Sequence, residues 1–257
     1  MENIENVSLF RYIEFLDFND FKDDITKAVQ ACPYSIQFVS EQPEWLQVIA
    51  ISISPMSISC IKKPTSNVKR LAVQGNPDAI QHISNPTDDI QLLAVGLDGN
   101  TLRHIENPSI DVQLAAVSNF GPAISHIENP SHEVQLATVK TYGSAILFLG
   151  NPAADVVDMA IKQNPYCIKF IDNPSKKMQL AAVTKNGMAI CHIDNPDKDV
   201  QMAAVKQNPI AIKYIASPDV EVQFSAIKQD KWLISRIVNP AKEIIEYVNR
   251  YGGENET

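Results

Sequence analysis

The chain has 257 residues, of which 45% are apolar and 20% charged, and 30 acids against 22 bases give a net charge of −8. This apolar content can build a core and excludes wholesale disorder. The negative charge argues against a duplex-DNA binder and against a protein that lies on anionic membranes. No run approaches the ~20 apolar residues of a transmembrane helix, so no contact with a membrane is predicted.

The amino terminus and the cysteines predict a cytoplasmic protein. The first residues, MENIENVSLFRYIEFLDF, lack the basic start and apolar run of a secretory signal. Four cysteines occur without a CxxC pair and without metal-like spacing, which is typical of reduced thiols. We therefore expect a cytoplasmic location.

Proline recurs at a fixed interval through most of the chain. From Pro43 to Pro240 the spacing is 21 residues once and 22 residues eight times. With this proline as position 1 and the residue before it as position 22, the consensus is N-P-S-x-D-V-Q-L-A-A-V-x-x-N-[GP]-x-A-I-x-H-I-x. A fixed period of this length is the signature of a repeat architecture. Repeats are predicted to start near residues 20, 43, 64, 86, 108, 130, 152, 174, 196 and 218.

Each repeat is predicted to form two short helices. Asparagine before proline suits a helix start, because the amide caps the first turn and proline fits the first helical residue. Helix A is expected at positions 1–12, with an acid at position 4 favoured by the helix dipole. Glycine or proline at position 14 ends helix A, and helix B is expected at about positions 15–21. Stacked pairs of this kind form an α-solenoid.

The predicted fold is therefore all-α, an α-solenoid of about ten 22-residue two-helix repeats with a cap at each end. Residues 1–19 form the amino-terminal cap, and residues 20–239 form the repeats. Residues 240–257 begin an eleventh unit, close the other end and finish in a polar tail. Apolar repeats left uncovered at either end would allow a homodimer. The residues expected to cover the first open face are Phe10, Ile13, Leu16 and Phe18.

The segment Asn-Pro-x-x-x-Val-Gln-Leu-Ala-Ala-Val resembles a family of short tandem helical repeats found in tailed-phage and bacterial proteins of uncharacterised function. More distantly it is similar to HEAT and leucine-rich-variant solenoids. The resemblance is strong over residues 64–240 and weak over 20–63. It implies a non-enzymatic interaction scaffold of phage origin, and a setting in which such a protein inhibits or sequesters a host protein in the host cytoplasm.

Catalysis finds little support in the sequence. HExxH, GxSxG, GxxxxGK[ST] and GxGxxG after a strand are all absent. Acids beside histidines, such as Glu128 near His126, repeat with the 22-residue period and form no constellation. Asp158 is the one off-pattern acid, and a repeat irregularity explains it equally well. We predict no catalytic residues, no metal site and no cofactor.

Position 19 is the most unusual column of the repeat, since four of the five histidines stand in it. Zinc needs three or four ligands within about 2.0–2.3 Å of one point. Parallel side chains from helices packed about 8–10 Å apart do not converge in this way. A half-buried seam of flat rings and a partner contact are the remaining interpretations. The column reads Phe38, Cys60, His82, His104, His126, Phe148, Phe170, His192, Tyr214 and Arg236.

Positions 15, 18 and 19 share the predicted outer face of helix B, which becomes aromatic and basic from the middle of the chain onward. Aromatic side chains between cations suit a protein hot spot, an anionic loop or stacked bases. The alternative is that these rings only thicken the core. The candidate partner-binding residues are His104, His126, Phe148, Tyr166, Lys169, Phe170, His192, Lys213, Tyr214, Trp232 and Arg236.

Two other columns are predicted to be structural. Lysines at position 11 lie in the last turn of helix A, where the dipole favours a solvated cation. Glutamines at position 6 lie among apolar residues, and we expect them to hydrogen-bond between repeats.

The sequence thus predicts a non-catalytic scaffold that binds a protein along one face of the solenoid. The alternative is nucleic-acid or nucleotide binding by the aromatic and basic face of repeats at about residues 140–236. Salt discriminates the two, because phosphate binding weakens steeply as salt rises.

Overall fold

The structure is a computed structural model that describes residues 21–251. The predicted amino-terminal cap and the polar tail from residue 252 lie outside the described residues. Over residues 21–251 every regular element is helical, which confirms the all-α solenoid. The chain divides into two compact units, residues 1–130 (unit 1) and 131–257 (unit 2). We describe each unit by itself and identify a repeat by its position-1 proline.

Unit 1 alternates ten-residue α-helices, called helix A, with six-residue 3-10 helices, called helix B. The α-helices are Lys22–Ala31, Glu44–Ile53, Ser66–Gly75, Asp88–Leu97 and Ile110–Asn119. The 3-10 helices are Pro33–Phe38, Pro55–Cys60, Pro77–His82, Gly99–His104 and Gly121–His126.

Unit 2 continues the same alternation and its described part ends in an α-helix. The α-helices are His132–Thr141, Ala154–Gln163, Lys176–Lys185, Lys198–Gln207, Val220–Gln229 and Lys242–Tyr251. The 3-10 helices are Gly143–Phe148, Pro165–Phe170, Gly187–His192, Pro209–Tyr214 and Lys231–Arg236. None of the described helices has the length and apolar character needed to cross a membrane.

Helix A begins at position 3, so the predicted start at the proline was wrong. The cap is the residue at position 2. The hydroxyl of Ser109 accepts a hydrogen bond from the Val112 N–H at 3.4 Å, and Asp197 accepts from two N–H groups of its helix. The asparagine at position 22 instead forms the turn before the cap, with φ near +50° in several repeats. Asparagine tolerates this left-handed conformation better than most residues.

Asp197 illustrates how the position-2 cap couples to pH. The Val200 N–H, followed by the Lys176 ammonium, lowers the pKa of Asp197 below its ordinary value of 3.8. Its contribution to stability is therefore present above the unfolded-state pKa and is lost as the pH falls through the lower folded-state pKa.

We expect Asp197→Ala to lower the melting temperature by a few degrees at neutral pH, with a difference from wild type that shrinks below pH 3.8. Asp197→Asn keeps a good cap without a titrating group, so it is the matched control and should melt close to wild type at neutral pH. Melting curves between pH 2 and pH 7 test this. An alanine variant that melts like wild type at pH 7 contradicts it.

Helix B is a 3-10 helix at positions 14–19, earlier and tighter than the predicted segment. Position 13 caps it. The Asn208 side chain accepts a hydrogen bond from the Ile210 N–H at 3.0 Å, and Asp98 does the same for Asn100 at 2.9 Å. Proline at position 14 has the φ that a first helical residue needs. The proline or glycine that ends helix A therefore also begins helix B.

The core is formed by the same positions in each repeat. Positions 5, 9 and 10 of helix A and positions 16 and 17 of helix B are buried in most of the described repeats of both units, and Met178 at position 5 and Ile234 at position 17 are half-buried. Position 9 is alanine in nearly all repeats. Helix B of the preceding repeat lies close to the backbone at this position. A Cβ on Gly187 of the Pro174 repeat, for example, would meet the carbonyl oxygen of Ala204 in the Pro196 repeat. In the last described helix, Ile244 is fully buried, and the ring of Tyr247 packs edge-on against Phe224 at 5.5 Å.

The glutamine at position 6 bonds the proline carbonyl of its own repeat, and in some repeats, as predicted for the column, it also links to the next repeat. The Gln201 Nε2 donates to the Pro196 carbonyl at 2.9 Å, and its Oε1 accepts from the Asp219 N–H of the next repeat at 3.1 Å. Gln223 makes the equivalent pair of bonds, to Pro218 and from Ala241. One amide thereby satisfies the carbonyl of one loop and the N–H of the next.

We expect Gln201→Leu to lower the free energy of unfolding by about 1–3 kcal/mol, because a buried carbonyl and a buried N–H lose their partner. The amide of Asp219 should also exchange faster with solvent. Gln81→Leu is the control: this exposed glutamine bonds only locally, to the Asp78 carbonyl, and its loss should cost little. Urea denaturation and hydrogen exchange test both variants. An unchanged Asp219 exchange rate contradicts the bridging role.

Candidate functional surface

Position 19 is the last residue of every helix B, and most of its side chains face solvent. His104 is half-buried, whereas His82, His126 and His192 are exposed. The aromatic residues of the column in unit 2 are exposed as well. Phe148, Phe170 and Tyr214 are 38–43% exposed, so most of each ring is covered and one edge faces water, which agrees with the half-buried interpretation.

The side chain at position 15 contacts position 19 of the following repeat. The rings of Tyr166 and His192 meet edge to face with centroids 5.7 Å apart. In unit 1, Asn100 bonds His126 at 3.2 Å, and an Asp78 oxygen lies 3.4 Å from His104 Nε2. The two positions are 26 residues apart, so a comparison within one 22-residue repeat does not reveal the contact.

In unit 1, charged side chains of helix B pair with one another. The Arg103 guanidinium lies 3.0 Å from the Asp78 carboxylate and also bonds His104. Of the predicted site residues, His104 and His126 belong to this internally paired surface. The remaining nine all lie in unit 2.

In unit 2, positions 15, 18 and 19 expose aromatic side chains in successive repeats. Phe148, Tyr166, Phe170 and Tyr214 are 36–43% exposed, and Trp232 is 85% exposed. Trp232 therefore does not thicken the core, whereas the other four rings are mostly covered by neighbouring residues and leave one edge in water. We call this surface the helix-B face of unit 2. Its predicted site residues are Phe148, Tyr166, Lys169, Phe170, His192, Lys213, Tyr214, Trp232 and Arg236.

The cations of the helix-B face lie against rings instead of carboxylates. The Lys169 Nζ is 4.7 Å from the ring centroid of Phe170, and the Lys213 Nζ is 4.5 Å from that of Tyr214. None of the five described helices B of this unit carries an acid at position 15, 18 or 19. Among the described residues, Lys169, Lys213 and Arg236 form no salt bridge. Their charge is available to a ligand.

Several acids of unit 2 pair with lysines near the amino-terminal end of helix A. Lys176 bridges to Asp197 at 3.0 Å, and Lys198 bridges to Glu221 at 2.8 Å. Lys176 and Lys198 both stand at position 3, and each contacts acids at positions 2 and 4 of the next repeat. The fold places these pairs on helix A, while Asp172 and Asp194 line a cleft together with Lys169.

Asp158 has a structural partner. Its carboxylate lies 3.0 Å from the Lys177 ammonium of the next repeat. In unit 1 the same two positions carry Arg70 and Asp89, which also pair, with the signs reversed. Asp158 at position 7 and Lys177 at position 4 both depart from the consensus, and their pairing accounts for both departures. Such exposed pairs contribute about 0–1 kcal/mol.

Lysines at position 11 lie in the last turn of helix A and are exposed, as predicted for a solvated, dipole-favoured column; they are Lys140, Lys162, Lys206 and Lys228.

Across residues 21–251, no three His, Cys, Asp or Glu side chains come together in a group that would hold a metal ion. Comparison with protein-family models, curated proteins and solved structures finds no match to this chain.

Proposed function

We propose that this protein is a non-catalytic scaffold whose helix-B face in unit 2 binds the acidic surface of a protein partner. The observation that carries the proposal is the combination of exposed rings with cations that have no carboxylate partner among the described residues. The resemblance to phage and bacterial repeat proteins supports inhibition of a host protein as the setting.

The chemistry of the face favours protein binding. Interface energy is concentrated in a few aromatic and arginine side chains, and this face presents Trp232, Tyr214 and Arg236. Aromatic side chains supply a large contact area with few rotatable bonds, so little conformational entropy is lost on binding. Carboxylates on the acidic surface of a partner would pair with the ammonium groups of Lys169 and Lys213 and neutralise their charge.

The test compares capture and affinity for two triple variants of the full chain. In the first, Phe148, Phe170 and Tyr214 are changed to alanine. In the control, three exposed leucines on two A helices of unit 1 are changed to alanine; they are Leu71, Leu92 and Leu97. The protein captured from nuclease-treated lysate is purified, and its affinity for wild type and both variants is measured by calorimetry, with melting curves to check folding.

We expect the aromatic variant to lose at least about 100-fold in affinity, because removing a hot-spot ring typically costs 2 kcal/mol or more. The leucine variant should bind like wild type. Equal binding by the aromatic variant and wild type contradicts the proposed face. If capture vanishes with nuclease and affinity falls steeply with salt, the ligand is a nucleic acid instead.

A further inference from the structure

We infer that copies of this chain associate head to tail, with residues 6–14 of one copy packed as helix B beside Lys242–Tyr251 of another. The inference concerns self-association and does not depend on the proposed function. It follows from apolar side chains left uncovered at the end of unit 2, from the residues that follow this end, and from a match between residues 6–14 and the helix-B sequence.

Helix Lys242–Tyr251 is a helix A whose following residues do not match a helix B. Counted from Pro240, positions 16 and 17 fall on Asn255 and Glu256. All ten described helices B carry isoleucine or leucine at position 17 and an uncharged residue at position 16. A glutamate does not replace a buried isoleucine, because burying an unpaired carboxylate is costly. Residues 252–257 therefore do not have the sequence that covers helix A elsewhere in the chain.

Ile234 shows that the end of unit 2 is partly uncovered. It stands at position 17 of the last described helix B and is half-buried, whereas the other nine residues at this position in the described helices are 0–3% exposed. Inside the array, position 17 has an equivalent on each side, as Ile190 has in Ile168 and Ile212 of the same buried cluster. Ile234 has Ile212 before it and no described helix B after it. Its far side is therefore open to a partner.

Trp232 and Ile245 are also apolar and uncovered at this end. Position 15 contacts position 19 of the following repeat, as Tyr166 does with His192 at a centroid distance of 5.7 Å. Among the described residues no helix B follows that of Trp232, and this side chain is 85% exposed. Ile245 replaces the position-6 glutamine of most repeats and is 42% exposed. We call Trp232, Ile234 and Ile245 the open end of unit 2.

Residues 6–14 have the sequence of a helix B. They read Asn-Val-Ser-Leu-Phe-Arg-Tyr-Ile-Glu, and residues 98–106 read Asp-Gly-Asn-Thr-Leu-Arg-His-Ile-Glu. Both begin with a residue type that caps helices. Both then carry a large apolar residue, arginine, a flat ring, isoleucine and glutamate at positions 17 to 21. In this register Phe10 stands at position 17 and Tyr12 at position 19.

The residues before this match do not resemble a helix A. In the same register positions 9 and 10 fall on Glu2 and Asn3, whereas nearly all described repeats bury alanine at position 9 and valine or isoleucine at position 10. One end of the array thus carries a helix-A sequence without a helix B, and the other carries a helix-B sequence without a helix A. The two half-repeats are complementary, and two copies joined head to tail complete one repeat.

A second copy is the source of the segment that the repeat order favours. In a solenoid each repeat contacts only its neighbours along the chain, and the two half-repeats are the most distant units in the sequence. Their interface therefore falls between copies. Because it joins different surfaces of identical chains, it leaves one half-repeat free at each end of a dimer, and further copies add there until a ring closes or a filament forms.

The internal repeats predict the contacts of this joint. Tyr12 would contact Trp232, because position 19 contacts position 15 of the preceding repeat. Phe10 would cover Ile234 at the equivalent position. Asn249 stands at position 10, where the other described repeats bury valine or isoleucine, and covering its amide costs free energy unless it is hydrogen-bonded. We therefore expect the joint to be weaker than an internal interface and to dissociate on dilution.

The test follows the sedimentation velocity of the full chain over a wide range of concentration. Phe10→Asp blocks the half-repeat of residues 6–14, and Trp232→Asp blocks the open end of unit 2. Ile110→Asp is the matched control, because Ile110 is a 50% exposed apolar residue in the first turn of a helix A, where an acid is favoured. Circular dichroism melts check that each variant folds.

We expect wild type and Ile110→Asp to associate as the concentration rises. Each blocked variant should associate at least about tenfold more weakly, because an unpaired carboxylate would be buried at the joint. An equimolar mixture of Phe10→Asp and Trp232→Asp should form a dimer, since each supplies the half-repeat that the other has lost. Mixing does not restore an interface between two copies of the same surface, so the mixture identifies the head-to-tail joint.

Trp232 fluorescence gives a second measurement with both half-repeats intact. Trp45→Phe leaves Trp232 as the one tryptophan, and its emission should shift to shorter wavelength as the concentration rises and the ring leaves water. A wild type that stays monomeric, a mixture that does not associate, an emission independent of concentration, or an Ile110→Asp variant as weak as the blocked ones overturns the inference. The aromatic triple variant of the capture experiment keeps Phe10 and Trp232, so it decides the proposed function separately.

Discussion

Ile190→Ala is expected to lower the free energy of unfolding by about 2–5 kcal/mol, the range for truncating a fully buried isoleucine. Ile190 stands at position 17 of its repeat and is 1% exposed. It belongs to one buried cluster with Ile168 and Ile212, its equivalents in the neighbouring repeats. A cavity at this position therefore weakens the contacts with both neighbours, because each repeat is stabilised by the interfaces on its two sides.

The matched control is Ile210→Ala. Ile210 lies on a helix B of the same length but is 47% exposed at position 15, so its truncation should cost about 0.5 kcal/mol, as for surface changes. Urea denaturation followed by circular dichroism measures both variants. Similar losses in the two would show that position 17 does not carry the core.

Gly187→Ala is expected to lower the free energy of unfolding by about 1–3 kcal/mol through overpacking. No described glycine has a positive φ, so the backbone conformation itself permits alanine. The obstacle is close approach. A Cβ on Gly187 would lie 2.4 Å from the Ala204 carbonyl oxygen of the next repeat. The Gly187 N–H also donates to Gln207 at 2.5 Å, and separating the repeats would weaken that bond.

Gly96→Ala is the control with the opposite expected sign. Gly96 lies in helix A, and a Cβ there would meet nothing within 4 Å. Replacing a helical glycine by alanine typically stabilises by about 0.5–1 kcal/mol. Thermal melts of the two variants compare the effects directly. A Gly187 variant that melts at or above the wild-type temperature would contradict the close approach.

Three glycines at position 14 bond to the following repeat. Gly99, Gly143 and Gly187 each donate an N–H to an asparagine or glutamine at position 12 of the next repeat. Proline has no N–H to donate. After Pro77 and Pro165, position 12 of the next repeat is a leucine and a lysine, whereas after Pro209 it is Gln229, which donates to the Val205 and Ser225 carbonyls instead. This pairing spans two repeats, so the consensus of a single repeat hides it.

Much of the fold was predictable because a 22-residue period in proline and apolar residues is a strong pattern. The period and the turn residues predicted two helical segments in each repeat. The start of helix A was misassigned because asparagine, serine and aspartate all cap helices, and proline is compatible with either start. Helix B was placed late because six residues contain too few apolar positions to distinguish a 3-10 helix from an α-helix.

The surface was only partly predictable. The sequence indicated that positions 15, 18 and 19 share a face, but it grouped His104 and His126 with the residues of unit 2. Their contacts with Asp78 and Asn100 join residues 26 apart, and no local pattern reports them. The exposure of Phe148, Phe170 and Tyr214 likewise depends on how neighbouring repeats pack.

The sequence by itself determined the repeat and the helical class, because these depend on the local spacing of prolines and apolar residues. Only the tertiary structure decided which charges are paired. Lys176 finds its acids in the next repeat, whereas Lys169 and Lys213 lie over rings. Pairing depends on distances between side chains of different repeats, and stacking the repeats sets those distances.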